Sequence, residues 1–167
     1  MRAIHVLFYR PQSDDHWINH LVSFFSPPFS HCDIQFEDGT ASSIYNNETV
    51  YMHAKRFSRL NYERISLTLN DEEYDAVNAF CKQAHEDQKG FDLAGMVMSY
   101  FPLGSIRRNN HTYCSRYITE ALQASLKKDF QDMRPGAVSP SGLYTTLKEQ
   151  HRGFVFVPEN RLDQLRT

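Results

Sequence analysis

Phe29-Ser30-His31-Cys32-Asp33-Ile34-Gln35-Phe36-Glu37-Asp38-Gly39-Thr40-Ala41-Ser42-Ser43-Ile44-Tyr45 reads as one β-hairpin and decides the fold of the first half of the chain. Residues 29–37 suit a strand. Asp38-Gly39 is a strong hairpin-turn signal, because glycine supplies the positive φ that a tight turn needs. Residues 41–45 then return antiparallel. Side chains alternate across a strand, so His31, Asp33 and Gln35 share one face while Cys32, Ile34 and Phe36 share the other. The apolar set faces the core, which predicts a polar, accessible face for His31.

Working outward, Ala3-Ile4-His5-Val6-Leu7-Phe8-Tyr9 is β-branched and aromatic and stops at Pro11, so it reads as a strand. Trp17, Ile18, Leu21, Val22 and Phe25 follow a helical period behind a cap at Asp14 or Asp15. Pro27-Pro28 ends that helix and forces an extended approach to His31. On the other side, Asn46-Asn47 makes a turn, and residues 49–54 and 64–69 supply two more strands. The expectation is a meander of about five strands.

The second half is helical. Asn70 or Asp71 caps a helix whose apolar stripe is Tyr74, Val77, Phe80, Cys81 and Ala84, with Gly90 as its end. Residues 91–101 form a more uniformly apolar helix, closed by Pro102 and Gly104, and a polar loop follows over 105–110. A helix from Cys114 to about Ser125 is expected next, capped by Asn110 or Thr112. Pro135-Gly136 marks a turn, Ser139-Pro140 starts a last helix through Leu143, Tyr144 and Leu147, and residues 154–157 suit an edge strand. The aromatic pairs Phe24-Phe25 and Tyr100-Phe101 read as core. Strands segregated from helices make an α+β domain over residues 1–158, with 159–167 as a C-terminal tail.

A chain of 167 residues suits one domain with a sizeable core, and 41% apolar and 13% aromatic content is that of a globular protein. A net charge of -2 without a basic block argues against a nucleic-acid partner. No apolar run reaches transmembrane length, and the N-terminus lacks the pattern of a signal peptide. Three cysteines without a leader point to a reducing, intracellular setting, cytoplasmic or inside an infected host cell.

Two residues carry potential chemistry. His111-Thr112-Tyr113-Cys114-Ser115 puts a thiol in the first turn of a helix, where the dipole favours thiolate by roughly 0.3–1 kcal/mol and free backbone N–H groups can receive an oxyanion. His31 stands at a strand end, more than eighty residues earlier. A thiolate beside an imidazolium is a nucleophile for acyl chemistry, with Cys114 attacking and His31 managing protons. Zinc is the rival use of His31, Cys32, His111 and Cys114, but His31 and Cys32 point to opposite faces and no C-x-x-C occurs, so neither metal nor cofactor is expected. Cys81 belongs to an apolar stripe and reads as core. Arg107-Arg108 lies just upstream of the proposed nucleophile, where it can attract an anionic substrate.

The order of these segments resembles the circularly permuted NlpC-type, papain-like thiol hydrolases, a superfamily with bacterial, phage and viral members and lecithin:retinol acyltransferase-like relatives. Trp17-Ile18 with Pro27-Pro28-Phe29-Ser30-His31 resembles that family's approach to its histidine, and Phe36 to Ser43 its hairpin. Gly90-Phe91-Asp92-Leu93-Ala94-Gly95 is similar to its Gly-x-x-Tyr-Asp-x-x-Gly helix, with Phe91 in place of tyrosine. Tyr113-Cys114-Ser115 resembles the nucleophile helix, and Ser139-Pro140-Ser141-Gly142-Leu143-Tyr144 the downstream Ser-Pro helix. Arg116 departs from the pattern, because glutamate commonly stands there.

The resemblance implies a Cys114–His31 dyad and a third polar residue that orients the imidazole. Ser43 is favoured on the resemblance, and Asp33 is the alternative on the histidine's own strand. The implied activity is a cysteine-dependent hydrolase or acyltransferase working on a peptide, lipid or acyl-protein through an amide, ester or thioester. A virus- or phage-encoded binding or structural protein that keeps the fold without catalysis is the competing expectation. Neither the substrate nor the oligomeric state is written in the residues.

Overall fold

A computed structural model describes residues 1–100 and 110–150. Among them the protein is α+β, with a five-stranded antiparallel sheet and six α-helices. The sheet comprises β1 (Arg2–Tyr9), β2 (His31–Phe36), β3 (Thr40–Ser43), β4 (Tyr51–Ala54) and β5 (Tyr62–Leu69). The helices are α1 (Trp17–Phe25), α2 (Asp71–Glu86), α3 (Leu93–Met98), α4 (Cys114–Ala124), α5 (Lys128–Gln131) and α6 (Pro140–Gln150), with a 3-10 turn at Pro135–Ala137. The edge strand expected over 154–157, the tail, Phe101 and Arg107-Arg108 lie outside the described residues.

Strand order is β4-β3-β2-β1-β5, so the last strand crosses back to pair with β1 instead of continuing the meander beside β4. The longest apolar ladder accounts for this. Eight residues of β1 pair with β5, from Arg2 opposite Leu69 to Tyr9 opposite Tyr62, and Ile4, Val6 and Phe8 bury against Ile65, Leu67 and their neighbours. β4 offers only four residues, none of them fully buried. Gly39 turns β2 into β3 at φ +83, with open space around it.

Cys32, Ile34 and Phe36 face the helical layer as expected, packed with Tyr74, Val77 and Cys81 of α2 and Tyr117, Ile118 and Ala121 of α4. Asn70 closes a capping box on α2 with Glu73. That helix ends at Asp87, and Gly90 instead opens β6 (Gly90–Phe91), which pairs in parallel with β7 (His111–Thr112). The long apolar helix is correspondingly shorter: Asp92 caps α3 at Gly95 N (2.8 Å). A Cβ at position 95 would lie 2.3 Å from Asp92 Oδ2, which explains a glycine three residues after the aspartate.

α1 is capped by His16, because the Asp15 carboxylate is taken by Tyr9 OH and Gln12 N. Only Ile18 and Val22 of this helix are buried, against Met96 and Tyr113. Phe24 and Phe25 are therefore exposed, at 79% and 45%, and not part of the core. Among the described residues no helix is long and apolar enough to cross a membrane.

Candidate active site

Three anchors bring the first turn of α4 to the start of β2. The β6–β7 ladder holds the residues before the nucleophile, with Asp92 N donating to Thr112 O at 2.7 Å. Ser115 Oγ donates to Val138 O (2.7 Å), and Tyr117 OH shares a 2.7 Å hydrogen bond with Ser42 Oγ.

The approach to His31 is held by the Ser-Pro-Ser segment: Ser141 Oγ donates to Ser26 O (2.7 Å) and accepts from Phe29 N (3.1 Å), and Ser26 Oγ meets Ser139 Oγ at 2.6 Å. The two sequence segments that resembled separate family motifs are thus hydrogen-bonded to each other.

At this junction Cys114 is the first residue of α4, behind Tyr113, and no side chain caps the helix, contrary to the expectation for Asn110 or Thr112. His31 and Cys114 are close enough that each favours the charged form of the other. His31 Nε2 faces Asp33 Oδ2 at 3.3 Å, an ion-pair contact in which neither atom has the alignment of a hydrogen bond. Of the two candidates for orienting the imidazole, Asp33 lies against it, whereas Ser43 Oγ donates to the backbone carbonyl of Cys32 at 2.6 Å.

The face that carries His31 is not open, as alternation alone suggested. His31 is 5% exposed and Asp33 fully buried. Tyr45 stacks on the imidazole (centroids 4.3 Å apart, planes 17° apart), and Tyr51 stacks on Tyr45 in turn. Tyr51 OH donates to Asp33 Oδ1, and Lys55 Nζ donates to the same oxygen at 3.2 Å. The Lys55 ammonium also reaches Tyr45 OH (2.5 Å) and Tyr51 OH (3.0 Å), and it lies 4.7, 4.9 and 4.8 Å from the ring centroids of Tyr45, Tyr51 and Phe57. Tyr45, Tyr51 and Lys55 do not stand out in the sequence. Their one trace is that two tyrosines and a lysine fall within the twelve residues after β3 ends at Ser43.

The electrostatics follow from these contacts. Burial by itself would lower the His31 pKa, but the Asp33 carboxylate, and then Cys114, outweigh it and hold the imidazole at about 9. Asp33 is pushed up by burial and pulled down further by His31, Lys55 and Tyr51, so it stays ionised. The Cys114 thiol lies well below its ordinary range. Its largest cause is a hydrogen bond from the Cys32 thiol, opposed by burial and reinforced by His31 and the Cys32 backbone N–H. Cys32 moves the other way, raised by burial and by its neighbour Cys114. Each shift favours the charged form: thiolate at Cys114, imidazolium at His31 and carboxylate at Asp33.

Cys81, read as core, is fully buried with its thiol against Tyr117 and Ser42. Arg116, the departure from the family pattern, is buried and pairs with Glu120 one turn on, at 3.0 Å. His111 is at the surface, and among the described residues no three His, Cys, Asp or Glu side chains are grouped to hold a metal ion. Comparison of the chain with protein-family models, with curated proteins and with solved structures finds no match.

Proposed function

We propose that the protein is a cysteine-dependent hydrolase or acyltransferase with the element order of a circularly permuted papain-like fold, in which the histidine strand precedes the nucleophile helix. The observation that carries this reading is the His31 imidazole set between Cys114 and Asp33. The Cys114 thiolate attacks the carbonyl carbon of an amide, ester or thioester. The tetrahedral oxyanion is received by backbone N–H groups of the uncapped first turn of α4. His31 gives its proton to the departing amine, alcohol or thiol, leaving an acyl-enzyme on Cys114. The neutral imidazole then takes a proton from water, or from an acceptor molecule, as that group attacks the thioester and frees the thiolate. Asp33 is a positioning residue that keeps Nε2 engaged.

A second reading has its own observation. Cys114 and His31 retain only 4% and 5% of their exposure, which suits a fold kept for binding, without turnover. Alkylation separates the two. The catalytic reading expects Cys114 to react with iodoacetamide at a pH of about 6–7, far below the ordinary thiol pKa of about 8.5, and labelling by acyl probes to vanish in Cys114→Ala and fall sharply in His31→Ala. A thiol that reacts only above its ordinary pKa, with labelling indifferent to either substitution, would establish the idle scaffold.

A further inference from the structure

Asp33 sets the charge beside the imidazole but not the plane of the ring. Its Oδ2 lies 3.3 Å from His31 Nε2 without the alignment of a hydrogen bond, so the contact constrains distance more than direction. The terminal torsion of histidine has a broad minimum, and a second contact has to hold the ring. Tyr45 lies against its face, with centroids 4.3 Å apart and planes 17° apart. Tyr45 belongs to neither hydrophobic cluster, so the core does not call for it. It is itself clamped. Tyr51 stacks on it with planes 8° apart. The Lys55 ammonium has three hydrogens and meets three acceptors: Tyr45 OH at 2.5 Å, Tyr51 OH at 3.0 Å and Asp33 Oδ1 at 3.2 Å. With every donor committed, Lys55 ties the ring that covers His31 to the carboxylate that pairs with it. The Lys55 backbone is fixed in turn, its N–H donating to Gly39 O (3.2 Å) and its carbonyl accepting from Gln35 Nε2 (2.9 Å). The clamp therefore stands on the same hairpin that carries His31.

We propose that Tyr45 is a positioning residue whose ring, secured by Lys55, fixes the plane of the His31 imidazole for its work on Cys114. This rests on the reading of Cys114 and His31 as a reactive pair. The face of a phenol ring is electron-rich, so it favours a stacked imidazolium over the neutral ring. Stacking in nearly parallel planes also removes the rotation that the Asp33 contact leaves free. Neither effect needs the hydroxyl at the imidazole itself. The hydroxyl serves Lys55, which also holds Tyr51 and Asp33. Phenylalanine at position 45 therefore keeps the face that His31 uses, whereas leucine fills much of the space and offers no face.

The test uses the full chain and compares alkylation of Cys114 by iodoacetate and by iodoacetamide at neutral pH. The reagents differ in a carboxylate, so the ratio of their rates reports an imidazolium held beside the sulfur, which a general loss of stability does not alter. Iodoacetate should be the faster reagent in the wild type. The ratio should stay within about twofold of the wild type in Tyr45→Phe and fall about fivefold or more in Tyr45→Leu, the order expected for a lost cation–π contact. A ratio unchanged in Tyr45→Leu, or one that falls as far in Tyr45→Phe, overturns the positioning role alone. Failure of wild-type Cys114 to alkylate with iodoacetamide at neutral pH overturns the reactive pair and the positioning role together. Should Tyr45→Leu not fold, Tyr45→Met is read in the same way. Nuclear Overhauser contacts between the His31 and Tyr45 rings are expected in the wild type, and their absence overturns the positioning role whatever the variants do.

Discussion

His31 Nε2 and Asp33 Oδ2 lie 3.3 Å apart, two residues along one strand and on the same face of it. The alternation of a strand makes this pair almost unavoidable once both side chains are buried, and it governs how the site responds to pH. Asp33→Asn removes the charge that raises the imidazole. With iodoacetate, whose carboxylate is drawn to the imidazolium, the rate of Cys114 alkylation should be bell-shaped with its alkaline limb near the His31 pKa of about 9. In Asp33→Asn that limb should fall by about 1 unit or more. Ser43→Ala should leave it in place, because Ser43 spends its hydroxyl on the Cys32 carbonyl. A limb that moves in Ser43→Ala and not in Asp33→Asn would reverse the assignment.

Lys55 shares the carboxylate with His31 from the opposite oxygen. Lys55→Met should therefore raise the His31 pKa, since the ammonium no longer competes for Asp33 or repels the imidazolium. Histidine C–H resonances followed by NMR should show the upward shift. The loss of the charge-assisted hydrogen bond should cost about 1–3 kcal/mol in urea unfolding.

The same pair makes stability depend on pH at both ends. His31 has a folded pKa above its ordinary 6.5, so its contribution is complete below that value and is lost as pH rises through about 9. Asp33 has a folded pKa below its ordinary 3.8, so its contribution is present above that value and is lost as pH falls through the lowered one. In the wild type that loss is opposed by Cys114, whose lowered pKa makes its own contribution grow until the pH passes the ordinary thiol value of about 8.5, so thermal melts should change little from neutrality to there and decline above it, as His31 gives up its proton at about 9. In His31→Gln that decline should be smaller.

Ser141→Ala tests the clamp that holds the approach to His31. It leaves the buried Phe29 N–H without its acceptor and frees Ser26 O. The expected cost is about 1–3 kcal/mol in denaturant unfolding, accompanied by slower alkylation of Cys114 as the imidazole loses its fixed position. Alkylation unchanged despite the lost stability would confine Ser141 to a purely structural role.

Local patterns in the chain determined most of the elements. The apolar alternation of residues 32–36, the Asp38-Gly39 turn, the Asn70 cap and the helical stripe from Tyr74 to Ala84 each express forces acting within a few residues, so they are legible without the fold. Cys114 at a helix start and the placing of His31 and Asp33 on one face belong to the same class of information. Tertiary structure decided what those patterns leave open. It paired β5 with β1, because the longer apolar ladder wins over the shorter neighbour. It moved the cap of α1 to His16 by engaging Asp15 elsewhere. It buried the polar face of β2 beneath Tyr45, Tyr51 and Lys55, and it joined Cys32, on the opposite face of the strand, to Cys114 in one buried cluster. These contacts join residues from separate elements, and their strength comes from desolvation and charge pairing that exist only after the core has closed. No spacing along the sequence encodes them.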